Sequence, residues 1–337
     1  MTFPVFRPLA ALLLVTAIPA LAQERAPSTP QQFIFFGRDR ARIGESTFLT
    51  NPAIAGAQLR YTWRELEHAR DQYAFQPILD DIAVLAAHGK RLFIQVQDAT
   101  FSETLPVPDY LRSEEFNGGA ERKWESGDRD GSGARFDGWV ARRWDAQVRR
   151  RFAQLLDTLG RVADARIAGI NLPETAISFD NGSMPPRGYS PAEYAAGIKA
   201  LMTAARHAFP RSVVIQYANF MPGDSPPSTP FLRDVYAHAA AIGVGVGGPD
   251  ILPFRRFQRA NSLPLIGGRP VNVLAGMAVQ DGNLRDVNPA THRRVTVPEL
   301  YRYAAAELHL DYIFWGTEEP FYTEEVLPFL LTRTSPR

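Results

Sequence analysis

The chain has 337 residues and no cysteine, so neither a disulfide framework nor thiolate chemistry is open to it. Its 37 lysines and arginines against 36 aspartates and glutamates leave a formal charge of +1, which gives no electrostatic footprint for nucleic acid or an anionic membrane surface. The basic residues are scattered, and ARRWDAQVRRRF reads as the wet face of a helix, not as a binding patch.

The first segment in chain order reads as an export signal. MTFPVFRP carries one arginine, ALLLVTAIPALA is a short apolar run, and Ala20-Leu21-Ala22 supplies small residues ahead of Gln23. Residues 1–22 are therefore expected to be a cleaved signal peptide, and the mature protein to be periplasmic or extracellular. No stretch reaches roughly 18 uninterrupted apolar residues, so no membrane anchor is expected. Residues 23–31 form a polar, proline-containing lead-in expected to be disordered, and residues 32–337 form one domain.

Along that domain, short apolar runs alternate with amphipathic ones, the pattern of parallel β/α units. Eight strands are predicted: FIFFG (33–37), AGAQLRYTW (55–63), RLFIQVQD (91–98), RIAGINLPE (166–174), SVVIQYANF (212–220), VGVGGPD (244–250), VNVLAGMAVQ (271–280) and DYIFWG (311–316). Five clear helical runs lie between them, including one that Ser190-Pro191 should cap and one that Gly160 should end. The helices after the first and sixth strands are poorly marked, by GESTFLTNP and FRRFQRANSLP. The count and order define an α/β fold, a single (β/α)8 TIM barrel, of ordinary length for that architecture.

One connection is anomalous. Residues 99–140 form a long loop after strand three, and loops of that length inside compact domains usually serve as lids or subsites. It contains GDRDGSGARFD, whose acidic spacing is too incomplete for a calcium loop, so no metal and no cofactor are expected.

In a barrel, the C-terminal strand ends line the active face. The residues that collect there are Arg60, Trp63, Gln95, Gln97, Asn171, Glu174, Tyr217, Asn219, Asp250, Gln280, Trp315 and Glu318. Polar groups repeated at one end of separate strands are costly to bury unless they bond each other or a ligand. Carboxylates and amides hydrogen-bond hydroxyls, while indole and phenol rings offer flat apolar faces, so the expected ligand is a carbohydrate. No G-x-S-x-G or H-E-x-x-H motif occurs, and the glycines of AIGVGVGGPD more plausibly bring strand six close to its neighbours than cradle a phosphate.

The segment GAQLRYTWRELEHARDQYAFQPILDDIAVLAAHGKRLFIQVQD resembles the second β/α unit of clan A glycoside hydrolases, with Trp63, Leu66, Glu67, Tyr73 and Phe75 in the places of that clan's tryptophan-to-aromatic turn. The resemblance implies a general acid/base role for Glu174 at the end of strand four. It also implies a nucleophilic glutamate at the end of strand seven, where this chain has Gln280. An amide cannot form the glycosyl ester, so the second carboxylate is sought at Asp250, Glu318 or Asp281. The expectation is an exported glycoside hydrolase acting on a neutral oligo- or polysaccharide, with a non-catalytic glycan-binding barrel as the alternative and a structural Glu174 as the third reading.

Overall fold

The computed structural model describes residues 27–125, 133–180 and 184–333. The expected signal peptide, residues 23–26 of the lead-in and the first six residues of GDRDGSGARFD lie outside the described residues. The later part of the lead-in is fastened to the barrel: the Ser28 amide donates to Ala305 O at 3.0 Å and its hydroxyl to Leu310 O at 2.6 Å.

Eight strands close a parallel barrel. They are β1 (Gln31–Gly37), β2 (Ile54–Thr62), β3 (Arg91–Gln97), β4 (Gly169–Leu172), β5 (Val213–Tyr217), β6 (Gly245–Gly248), β7 (Ala275–Val279) and β8 (Tyr312–Gly316). All eight predicted strands are present, because a strand buried on both faces reads as a continuous apolar run bounded by turn residues. The weakly marked connections are short helical pieces, Arg40–Gly44 with Ser46–Leu49 after β1, and Arg256–Ala260 with Ser262–Gly267 after β6. Among the described residues, no helix is long and apolar enough to cross a membrane.

Two glycines show how backbone approach shapes the fold. A Cβ on Gly247 would stand 1.8 Å from Gly276 O, so β6 meets β7 too closely for any side chain there. Gly160 does not end its helix, which runs Ala146–Ala163; a Cβ there would lie 2.1 Å from Ala208 O, and the glycine serves helix-to-helix contact instead. Ser190 does cap its helix, accepting from Glu193 N at 3.1 Å.

Strand parity divides the core into two layers. Phe33, Phe93, Ile215 and Phe314 fill the barrel interior, with Phe33–Phe93 and Phe93–Phe314 edge contacts at 5.0 and 4.9 Å. These rings plug the N-terminal half of the lumen, so any ligand must enter from the other end. The alternate residues, Ile34, Ile94 and Trp315 among them, pack under the helices.

The expected long loop folds into structure of its own. Ala120–Glu125 and Arg135–Ala141 form an antiparallel pair, which places Lys123 beside the C-terminal mouth.

Candidate active site

At the C-terminal end of the barrel the chain encloses a cavity of about 300 Å³. Side chains in phase on β2 and β3 supply Arg60, Gln95 and Gln97, because every second residue faces the lumen. The segments beyond β4 to β7 add Glu174, Tyr217, Asp250 and Gln280. Seven of the twelve residues singled out from the sequence thus meet around one space.

Glu174 is held from several directions. Asn219 Nδ2 donates to its Oε2 at 2.8 Å, while Arg143 Nη1 donates to its backbone carbonyl at 2.8 Å. The next residue is fixed by Thr175 Oγ1 donating to Phe220 O at 2.6 Å and by Tyr194 OH donating to Thr175 O at 3.0 Å. Burial pushes the Glu174 carboxyl above the ordinary glutamate range; the Asn219 bond opposes this, and the nearby Asp250 charge adds to it. Asp250 is also raised by burial, against the Asn283 bond and the Arg60 charge. Asn283 Nδ2 donates to Asp250 Oδ1 at 2.9 Å, and its own carbonyl accepts from Ile251 N at 3.0 Å and Gln280 N at 3.2 Å. One buried amide therefore fixes the second acid and joins the ends of β6 and β7.

Arg60 is inward, as expected, but it does not grip a carboxylate. Its Nε donates to Gln95 Oε1 at 2.6 Å, and its guanidinium lies over the Phe35 ring at 4.6 Å. Tyr217 and Asn219 share the lumen face, the first lining the cavity and the second orienting Glu174.

Five expectations are corrected by placement. Asn171 is fully buried below the cavity, where its Oδ1 accepts from Gln58 Nε2 at 2.9 Å, so it cannot contact a sugar hydroxyl. Trp63 is also fully buried; its indole N–H donates to Glu67 Oε2 at 2.8 Å and its ring packs on Phe152 at 4.9 Å. Trp315 follows the inward Phe314, so parity turns it outward, where its Nε1 donates to Gln32 Oε1 at 2.7 Å. Neither indole is available for stacking on a ligand. Glu318 lies off the cavity lining, accepting from Gly282 N at 2.7 Å and pairing with Arg285 at 2.5 Å, and is a loop clamp. Asp281 is exposed and likewise off the lining.

Sequence reasoning missed Phe101, Lys123 and Asn283. Lys123 is buried, bonds the backbone and side chain of Asp137, and sits 3.7 Å from the centroid of the Phe101 ring. Burial lowers its pKa, and Asp137 opposes that shift. Both Lys123 and Phe101 come from the 99–140 segment, whose length was the signal; which of its residues point inward depends on a pairing the sequence does not display. Among the described residues no cluster of acids and histidines could hold a metal ion.

No family model matches the chain, and no curated protein matches it. Solved structures do. The catalytic domain of β-amylase from Paenibacillus polymyxa superposes with a TM-score of 0.58 at 10% identity, covering 93% of this chain and 100% of that one. A β-galactosidase from the Antarctic haloarchaeon Halorubrum lacusprofundi gives 0.52 at 13% identity over 85% of this chain and 52% of that one. Xylanase 10B from Thermotoga petrophila, in complex with xylobiose, gives 0.50 at 10% over 85% and 81%. Likeness at such identities is likeness of fold. The chain shares the (β/α)8 barrel fold of these enzymes.

Proposed function

We propose that the protein is a glycoside hydrolase acting on an oligo- or polysaccharide, with Glu174 as general acid/base and Asp250 as the second carboxylate. The carrying observation is the pair itself: two largely buried carboxyl groups line one cavity, each raised by burial and each oriented by its own amide. A carboxyl kept protonated near working pH can protonate a leaving oxygen, while an ionised partner can attack the anomeric carbon or activate water. A cavity of about 300 Å³ is at the small end for ligand sites, which suits a sugar or two at the reacting end of a chain.

A second reading, binding without cleavage, is favoured by Gln280, an amide at the end of β7 where the resembling clan carries its nucleophile. Reducing-end release from a broad oligosaccharide panel separates the two. Hydrolysis supports the enzyme, whereas calorimetric binding without release supports the lectin-like reading. Neither binding nor release removes both.

Export belongs to the same proposal, on the strength of the apolar run before Ala20-Leu21-Ala22. Native protein from an envelope or culture fraction is expected to begin at or near Gln23. Folded native protein still carrying Met1 would overturn it.

A further inference from the structure

Arg60, which is partly buried, stands apart from buried arginines such as Arg143 and Arg269. Arg143 makes two bonds to Asp98, at 2.6 and 2.8 Å, one to the Glu174 carbonyl and one to Tyr194 OH. Arg269 bonds four backbone carbonyls and Asp311. Arg60 bonds only through Nε, to Gln95 Oε1 at 2.6 Å and to the Gln97 amide oxygen at 3.2 Å, and among the described residues neither terminal nitrogen has a hydrogen-bond or ion-pair partner. A partly desolvated guanidinium whose terminal donors lack acceptors is costly to bury further, so an unfilled set of donors facing a cavity is a recognition feature.

The surroundings say which way the free edge faces. The neighbouring Tyr61 sends its hydroxyl outward to Asp81 at 2.6 Å, so Arg60 points into the lumen. Its electrostatic partners are Tyr217, Glu174 and Asp250, all cavity residues. Gln95 holds Nε and the Phe35 ring covers one face, which leaves the two terminal nitrogens as the open side. Neither cavity acid closes on them, because Asn219 holds Glu174 and Asn283 holds Asp250.

We propose that the open edge of Arg60 receives an anionic substituent of the sugar, a carboxylate, and that the substrate is a uronic acid glycan in place of the neutral one expected from the sequence. The inference rests on the cavity being a glycan site. Guanidinium N–H groups lie in one plane and match two carboxylate oxygens at once. A sulfate ester offers related oxygens, but a carboxylate is the smaller group for a cavity of about 300 Å³. A near-zero net charge over the whole chain does not conflict, since recognition uses the local field.

The test compares nitrophenyl glucuronides and galacturonides, in both anomers, and an oligogalacturonide with the matched neutral glycosides and a 6-sulfated glycoside. Affinity is read by calorimetry and turnover by nitrophenol release. The uronides are expected to bind at least tenfold more tightly than their neutral partners, with the preference lost in Arg60→Gln and partly kept in Arg60→Lys. Circular dichroism checks that the variants fold; should Arg60→Gln not fold, the wild-type preference and its decline with added salt decide the matter. Equal or tighter binding of the neutral sugars overturns the proposal, and tightest binding of the sulfated one overturns the carboxylate. Uronide binding without turnover upholds this proposal and removes the hydrolase reading. Turnover of neutral glycosides alone does the reverse, and binding of none removes both.

Discussion

Replacing Glu174 by Gln is expected to leave the fold and glycan affinity nearly intact while turnover of natural substrates falls by roughly 10²-fold or more, the scale for losing a general acid. The amide keeps the shape and can still meet Asn219, which bonds the carboxylate at 2.8 Å. It has no proton to give. Nitrophenyl glycosides, whose leaving group needs little help, should lose less than natural ones. Asp250→Asn should depress both substrate types together, because the second carboxylate acts on the anomeric centre whatever group departs. Equal full rates for both substrates in Glu174→Gln would make that residue a bystander, and an unfolded variant would make it structural.

The pH profile follows from the same pair. A general acid must hold its proton, so rate should fall as pH rises through the elevated Glu174 titration. The acidic limb reports loss of charge on Asp250, which burial also raises, so both limbs should lie above the ordinary carboxylate range. The two charges interact, and the limbs belong to the pair, not to single residues. Stability carries the same sign: both carboxyls hold protons more tightly folded than unfolded, so their contribution is full below the unfolded values and is lost as pH rises through the folded ones.

Much of this architecture is legible in the residues, and the gaps have physical causes. The barrel strands stand out because both of their faces are buried, and Arg60, Gln95 and Gln97 follow from alternation along two of them. Glu174 is marked by Pro173, which stops a strand where an acid follows. The errors at Trp63 and Trp315 arise because alternation gives relative phase and not its absolute sense. On β8, Phe314 and Trp315 are equally credible inward residues, and contact with the lumen rings Phe33, on the adjacent β1, and Phe93 selects the first. The WRELE motif that carried the family resemblance proves to be a packing device: Glu67 accepts from Trp63 and Tyr110 and pairs with Arg151. Lys123 was invisible because its approach depends on the pairing of Ala120–Glu125 with Arg135–Ala141, a contact across ten or more residues of weak pattern. Asn283 lies in a loop whose value comes only from what it joins.

Asp98→Ala is expected to destabilise the protein by about 3–5 kcal/mol, the usual cost of leaving one member of a buried ion pair uncompensated. Asp98 and Arg143 are each 2% exposed as side chains, and the pairing is bidentate. Arg143 cannot shed its proton at any relevant pH, so the buried charge would remain. The consequence reaches the cavity, because the same guanidinium holds the Glu174 carbonyl and Tyr194, which in turn fixes Thr175. Urea unfolding should show a lower midpoint with an unchanged slope, and kcat should fall in the fraction that remains folded. A double variant, Asp98→Ala with Arg143→Met, removes the stranded charge and should regain part of the stability, since well-packed apolar groups can replace a buried pair. It should not regain kcat, because the Arg143 bond to the Glu174 carbonyl and to Tyr194 is then gone. A single variant that loses less than about 1 kcal/mol would show that water or a neighbour reaches Arg143, and full kcat in the double variant would show that Glu174 is positioned without it.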